Sequence, residues 1–216
     1  IKTTVELVRM SGKRVGNRVP DFVLFWDKDV VLAHRIEDMG IHVFNKPRAI
    51  EICDSKAMTA VVLDKSGISQ PETLVAPMTF DGVGYNDLIF LDAAEERFGY
   101  PYVIKEAYGS FGRQVHLVGS RQAAEELVSS FGARPFIMQE LVETSLGRDV
   151  RINIVGGEPV ASILRYNEND FRSNLAEGGQ KQKYEPTKDQ IEIAIAAAEA
   201  IGLDFCGVDL LFGEND

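Results

Sequence analysis

Short apolar runs alternate with helix-like segments along this chain, which limits it to folds that combine helices with β-sheets. Near the start, Phe22–Trp26 and Ile41–Phe44 are strand candidates on either side of a helix candidate, Asp29–Met39, which Gly40 ends. Strand, helix and strand in that order predict a parallel crossover. We therefore predict an α/β (α+β) fold class that contains such a unit.

Strand pairs that enclose glycines predict two antiparallel hairpins later in the chain. The first surrounds Gly109 and Gly112, and the second turns at Gly156 and Gly157. The strands are predicted at Tyr102–Lys105, Gln114–Val118, Val150–Val155 and Pro159–Leu164, with two more at Phe136–Leu141 and Val208–Phe212.

Helices are predicted where a capping residue precedes an apolar repeat that a glycine ends. The clearest begins at Thr187 and ends at Gly202, because Gln190 follows Thr187 by three residues, as in a capping box. The others are predicted at Ser55–Ser66, with Asp54 or Ser55 as the cap, at Asp92–Phe98, and from Ser120 to Phe131. Prolines and glycines interrupt residues 70–84, which are predicted to form a loop.

The charge balance bears on the partners of the protein. The chain carries 33 acidic against 23 basic residues, a formal net charge of −10, which argues against a surface built for nucleic acid or anionic lipid. No apolar run approaches the roughly 20 residues of a membrane helix. Cys53 and Cys206 lack the spacing of a zinc or redox site, and we interpret both as reduced packing residues in a cytoplasmic protein.

Lys105 and the glycines behind it form the first candidate site. Glycines let the backbone at Gly109 and Gly112 approach an anion closely, and a lysine at the end of an apolar strand supplies a positive charge. This combination suits a phosphate group. A plain hairpin turn is the alternative interpretation.

The second candidate follows the strand Phe136–Leu141. The backbone of a strand end can bind an adenine edge, and a carboxylate such as Asp149 can accept hydrogen bonds from ribose hydroxyls. By spacing alone, a strand followed by a solvated charged loop explains these residues better.

Two further groups contain arginines and an isolated acid. Arg165 precedes Arg172, Ser173 and Asn174, and two arginines near neutral donors suit carboxylate or phosphate oxygens, although an exposed polar loop would also contain them. Asp209 lies in an apolar strand, where a carboxylate is costly to bury unless it is paired or bound to a cation such as magnesium.

These four groups, in this order, resemble the RimK branch of the ATP-grasp ligases, from about Asp54 to Phe212. The most specific part is Asp-Phe-Arg-Ser-Asn-Leu at 170–175 with Gly-Gly at 178–179, then Gly-Val-Asp-Leu-Leu at 207–211 after a helix. The resemblance implies an ATP-grasp fold in which two α+β subdomains clasp ATP. Residues 1–53 would be part of a Rossmann-like pre-ATP-grasp domain and 54–216 the ATP-grasp domain, with a lid at about 70–138 and a C-terminal subdomain at 139–216.

The resemblance also implies roles for individual residues. Lys105, Arg172 and Asn174 would be catalytic, Glu140 and Leu141 would offer backbone groups to adenine, and Asp209 would be the first magnesium ligand. Glu214 and Asn215 are not the Glu-x-Asn metal pair that relatives carry after this position, so the resemblance implies that the remaining metal ligands lie after Asp216. The full set implied to bind ATP is Lys56, Lys105, Gly109, Ser110, Gly112, Glu140, Leu141, Asp149, Arg172, Ser173 and Asn174.

The activity implied is ligation of a carboxylate to an amine through an acyl phosphate, with ATP and Mg²⁺ (or Mn²⁺). An amino acid such as glutamate and a carboxylate acceptor of unknown identity would be the substrates, and self-association is left open. A regulatory module that binds ATP without catalysis is an alternative. A weaker alternative is an α/β protein that binds no nucleotide.

Overall fold

A computed structural model describes residues 20–110, 112–174, 176 and 178–213 of the chain. The described strands are β1 (Phe22–Leu24), β2 (His42–Phe44), β3 (Thr73–Val75), β4 (Tyr102–Glu106), β5 (Val115–Val118), β6 (Phe136–Gln139), β7 (Arg148–Val155), β8 (Glu158–Tyr166), β9 (Gln180–Lys183) and β10 (Phe205–Leu210). The described α-helices are α1 (Val30–Asp38), α2 (Pro47–Asp54), α3 (Lys56–Lys65), α4 (Phe90–Phe98), α5 (Arg121–Phe131) and α6 (Lys188–Ile201).

The N-terminal unit is a small parallel crossover. Strands β1 and β2 pair in parallel, and α1 connects them, which confirms the predicted strand, helix and strand. Asn45, directly after β2, donates to the carbonyl of Phe205 at 2.8 Å and accepts from the amides of Asp204 and Phe205. Because Asn45 is buried, these bonds fix the unit to the first residue of β10.

The middle of the chain forms an antiparallel sheet in the order β3-β6-β4-β5. Helices α4 and α5 pack on one face of this sheet, where Leu91, Tyr102, Val128 and Phe136 are buried in a single core cluster. Side chains alternate along a strand, so Lys105 lies on the opposite face from Ile104, which belongs to that core.

The C-terminal part forms a second antiparallel sheet in the order β10-β7-β8-β9. On β7, Val150, Ile152 and Ile154 are buried against α6. The alternation of the strand places Asp149 and Arg151 on the other face. The sheet therefore has one apolar face and one charged face.

Several predicted helix boundaries are confirmed. Ser55 caps α3, Ser120 caps α5, and Thr187 caps α6 in a complete capping box with Gln190. The prediction that a helix begins at Asp92 is wrong by two residues, because α4 begins at Phe90. Asp92 lies inside the first turn and pairs with Arg121.

Other elements were missed. Helix α2 begins at Pro47 after a lysine that makes no capping bond, and three-residue β3 lies within the predicted loop. All four residues of β9 are exposed, so no apolar alternation marks the strand. The prediction for Cys53 as a packing residue is also wrong, since this free cysteine is exposed, whereas free Cys206 packs against the C-terminal core. None of the described helices combines the length and apolar composition that crossing a membrane requires.

Candidate functional site

The candidate residues meet at a cleft that both antiparallel sheets line. Its cavity has a volume of about 1380 Å³, and a smaller cavity of about 160 Å³ shares Lys105 and Asn174 with it. The candidates that line the larger cavity are Lys56, Lys105, Gly109, Ser110, Gly112, Glu140, Leu141, Asn174 and Asp209. Asp149, Arg172 and Ser173 line the smaller one.

Three cationic side chains bind the glycine loop. The contacts are made to Gly109, Ser110 and Gly112 of that loop. Lys56 donates its Nζ hydrogen to the carbonyl of Gly109 at 3.1 Å, and Lys28 donates to the Ser110 hydroxyl at 3.0 Å. The carbonyl of Gly112 accepts from Arg172 Nη1 at 2.8 Å. The loop thus directs oxygen atoms at cations that could equally bind phosphate oxygens.

Lys105 lines the same cavity as this loop, and its surroundings lower its pKa. Burial lowers the pKa of Lys105 to about 8, and the nearby charge of Lys56 acts in the same direction. Burial, followed by the charge of Lys28, also lowers the pKa of Lys56. Lys105 donates to Gln139, whose amide in turn donates to Thr73 Oγ1 at 2.7 Å. Crowded positive charge of this kind favours an anionic ligand.

Two glycines of the loop have backbone angles that favour glycine, and they lie close to neighbouring side chains. A Cβ atom at Gly112 would lie 2.6 Å from Asn174 Oδ1, and one at Gly109 would lie 2.5 Å from Gln114 Oε1. Both residues also have positive φ angles, of 82° and 131°. Since side chains rarely adopt such angles, glycine lets the loop lie directly against Asn174.

Arg172 is oriented by Asp170, two residues earlier in the same segment. Its Nε and Nη2 donate to the two carboxylate oxygens of Asp170 at 2.9 and 2.7 Å, which also lowers the pKa of that carboxyl. The backbone that follows packs against Gly179, where a Cβ would lie 2.4 Å from the Ser173 carbonyl oxygen. A bidentate carboxylate partner fixes the guanidinium plane on the cleft.

The charged face of the C-terminal sheet carries four ionic side chains in register. Asp149 pairs across the strands with Arg165, and Asp209 pairs with Arg151. Arg151 binds both oxygens of Asp209 at 2.6 and 2.7 Å, and Arg165 Nη2 reaches the same carboxylate at 2.9 Å. The exposed fractions of Arg165 and Asp149 are 4% and 7%, so the centre of this network is shielded from solvent.

Asp149 has a different environment from the one expected for a ribose ligand. Its carboxylate accepts from Arg165 at 2.7 and 2.5 Å and from the Ser173 hydroxyl at 2.5 Å. These partners bind both oxygens of the buried Asp149 carboxylate and tie Arg165 and Ser173 to it, while the ribose role of Asp149 stays a prediction. Binding a ribose hydroxyl would require Asp149 to release one of these partners.

The expectation that Asp209 is a buried acid also needs correction. We expected an acid that is costly to bury, but this carboxylate is partly exposed and two arginines neutralise it. Among the described residues, no group of three His, Cys, Asp or Glu side chains could hold a metal ion. One carboxylate still suits Mg²⁺ that arrives with phosphate oxygens and water, which is its usual manner of binding.

Glu140 is held by Glu72, which limits what it can offer to a ligand. Its amide donates to the Glu72 carbonyl at 3.0 Å, and its carboxylate accepts from the Glu72 amide at 2.7 Å. The Glu140 amide is therefore already bound to Glu72, and the role of Glu140 and Leu141 toward adenine stays a prediction. Its carbonyl and the backbone of Leu141, which lines both cavities, remain candidates.

Comparison with known proteins identifies the family. The sequence profile of the RimK-like ATP-grasp domain matches residues 53–216. The chain belongs to the RimK-like ATP-grasp family.

Individual relatives of this RimK-like chain include two enzymes. A probable alpha-L-glutamate ligase from an Enterobacter species is 38% identical over 180 residues, covering 82% of this chain and 57% of that protein. N-acetylaspartylglutamate synthase A from Homo sapiens is 30% identical over 200 residues, covering 92% of this chain and 50% of that protein. The chain thus spans about half the length of these two curated relatives.

A solved structure shows the same fold. D-alanine–D-alanine ligase from Bacillus anthracis complexed with ATP superposes with a TM-score of 0.73 at 15% identity, covering 100% of this chain and 70% of that chain. The expected ATP-grasp fold and mixed α and β class are confirmed. The Rossmann-like pre-ATP-grasp assignment of residues 1–53 and the subdomain boundaries stay predictions, and Glu214 and Asn215 lie outside the described residues.

Sequence reasoning missed two side chains of the candidate site. Lys28 reaches Ser110 from the N-terminal unit, and Gln139 accepts from Lys105 across the sheet. The only signal for Lys28 is its place between Asp27 and Asp29 directly after an apolar strand. Gln139 could be found only from the strand register, because it pairs with Val103 and Thr73 on neighbouring strands.

Proposed function

We propose that this chain is the ATP-binding part of a ligase that joins a carboxylate to an amine. The observation that carries the proposal is that Lys56 and Arg172 bind the glycine loop at a cleft between two sheets, while Lys105 lines both cavities of that cleft. Membership of the RimK-like family supports it, as do relatives named as a glutamate ligase and a synthase.

The reaction proceeds through an activated carboxylate. A carboxylate is a poor electrophile, so its oxygen first takes the γ-phosphoryl group of ATP, and the bond from that phosphorus to ADP breaks. The amine nitrogen then attacks the carbonyl carbon of the acyl phosphate. Phosphate leaves with the electron pair of the carbon–oxygen bond, the amine loses a proton, and an amide remains.

The residues of the chain contribute binding and charge neutralisation rather than covalent chemistry. Lys56 and Arg172 already hold loop carbonyls, and phosphate oxygens can take the same positions on these cations. Lys105 adds a third charge beside them, and Asn174 meets the loop at Gly112. Tyr108, Gly109, Ser110, Gly112 and Arg113 would lie over the acyl phosphate and exclude water, which would otherwise hydrolyse it.

Magnesium, or manganese, fits this proposal as a companion of ATP. Asp209 is the residue that would bind it, and Arg151 and Arg165 hold that carboxylate on the cleft side of the sheet. A bound divalent ion would supply further positive charge to the phosphates. The remaining ligands would be phosphate oxygens and water.

The substrates are proposed as classes. The names of the two relatives point to an amino acid such as glutamate as the amine and to a carboxylate on a peptide, protein or small molecule as the acceptor. The cytoplasmic location and self-association stay predictions.

The test is a screen for ADP release by the full-length protein with ATP, Mg²⁺, amino acids and carboxylate acceptors. The ligase requires ADP formation that depends on both an amine and a carboxylate. ATP binding without ADP formation under any combination would instead favour the regulatory module. Family membership argues against a protein that binds no nucleotide, and a melting temperature unchanged by ATP and Mg²⁺ would reopen that alternative.

A further inference from the structure

A lysine of the N-terminal unit reaches the glycine loop from outside the part of the chain that matches the family. Lys28 donates from Nζ to the Ser110 hydroxyl at 3.0 Å and forms an ion pair with Asp54 at 2.5 Å. The family match begins only at residue 53. One side chain therefore connects the N-terminal unit directly to the proposed phosphate loop.

The backbone that carries Lys28 is held on both sides. The Asp27 carboxylate accepts from the amides of Lys28 and Asp29 at 2.6 and 3.1 Å, and Asp29 caps α1. The ring of Trp26 stacks on Phe205 of β10, with centroids 5.0 Å apart and planes 14° from parallel. Because the segment is already ordered, Lys28 loses less conformational freedom on binding Ser110 than a lysine on an unrestrained loop would.

Lys28 also lies close enough to Lys56 to affect the pKa of that lysine. Its positive charge lowers the pKa of Lys56, after the larger effect of burial, while Asp54 opposes it. Lys28 and Lys56 thus approach the loop side by side, one bound to the Ser110 hydroxyl and the other to the Gly109 carbonyl.

We propose that Lys28 is a positioning residue that holds Ser110, and with it the glycine loop, against the cleft from the N-terminal unit. The proposal rests on the proposed function, in which this loop binds the phosphates of ATP. Without Lys28, ATP binding itself must order the loop. Lys28→Ala should therefore raise the KM for ATP more than it lowers kcat.

The direct test is amide hydrogen exchange of a peptide covering residues 106–115 in the nucleotide-free protein. Loss of a charge-assisted hydrogen bond should raise exchange there by about three- to tenfold in Lys28→Ala. Lys28→Arg should restore most of the protection. Ser110→Ala should give a similar rise, and the double variant should show no more than either single variant, because both remove the same contact.

Lys46→Ala is the matched control, because Lys46 is an exposed lysine of the same unit whose side chain makes no capping bond. Unchanged exchange in Lys28→Ala, an equal rise in Lys46→Ala, or additive effects of Lys28→Ala and Ser110→Ala would each overturn the proposal. The exchange measurement needs no substrate. A failure to form ADP would therefore count against the ligase and leave the role of Lys28 to be decided by exchange.

Discussion

The guanidinium of Arg172 donates to the carbonyl of Gly112 at 2.8 Å across 60 residues of sequence. This bond joins the arginine segment that precedes β9 to the glycine loop between β4 and β5. It brings together two groups that the sequence presents as separate motifs. The contact also places a fixed positive charge where the loop meets the cleft, and the first prediction follows from it.

Replacing Arg172 by Ala should lower ligase turnover by on the order of a hundredfold or more, the scale seen when one preorganised donor is lost. The substitution removes both the charge and the anchor of Gly112. Steady-state ADP release with saturating substrates measures the effect. Arg48→Ala is the control, because that exposed arginine forms its ion pair with Glu51 on the same helix. Undiminished turnover in Arg172→Ala would remove this residue from the site.

ATP binding should become weaker as the pH rises through about 8. Burial holds the pKa of Lys105 at about 8, below its ordinary value of 10.5, so the free site begins to lose this charge just above neutrality. Phosphate oxygens favour the charged form and raise that pKa in the complex, which means that binding takes up a proton in the window above about pH 8.

Calorimetric titration with ATP at about pH 8.5, in buffers of different ionisation enthalpy, measures this proton uptake. Lys105→Arg is the control, since a guanidinium stays charged throughout this range and should show no uptake at that position. Equal proton uptake by the wild type and Lys105→Arg would show that Lys105 is not the group that titrates.

Gly179→Ala should disturb the arginine segment through a backbone clash. A Cβ there would lie 2.4 and 2.9 Å from the carbonyl oxygens of Ser173 and Asn174, which are backbone atoms that cannot rotate away. We expect a loss of unfolding free energy of about 1–3 kcal/mol, as for other overpacked positions, together with a raised KM for ATP.

Urea unfolding and ADP-release kinetics test this expectation. Gly119→Ala is the matched control, because a Cβ at Gly119 would meet no atom within 4 Å. The control should change stability by less than about 1 kcal/mol. Similar behaviour of the two variants would mean that the chain at Gly179 can shift without affecting Ser173 and Asn174.

Local sequence patterns predicted much of the fold. The crossover around α1, both hairpins and the capping box at Thr187 follow from interactions within a few residues, and the structure confirms them. The elements that were missed lack such patterns: β3 is three residues long, and β9 has no apolar alternation.

The sequence predicted residues of the candidate site by their type, but it did not predict which of them contact one another. Lysine and glycine near 105–112 and the arginine at 172 have recognisable chemistry, and the structure places them together. The pairing of Asp149 with Arg165 depends on the register of β7 and β8, and the reach of Lys28 to Ser110 depends on how separate units pack. Such contacts are set by tertiary structure, so local sequence patterns do not predict them.

The register pair Asp149–Arg165 yields the last prediction. Asp149→Ala would leave Arg165 buried with only Asp209 as a carboxylate partner among the described residues, and breaking a buried pair typically costs about 3–5 kcal/mol of unfolding free energy. Asp149→Leu combined with Arg165→Met should recover most of that loss, since apolar groups of similar volume often replace a buried pair without penalty.

Glu192→Ala is the control, because its exposed pair with Lys188 is worth only about 0.5 kcal/mol. Urea unfolding of all three variants decides the matter: a loss below about 1 kcal/mol in Asp149→Ala would mean that the ion pair does not anchor this face of the sheet.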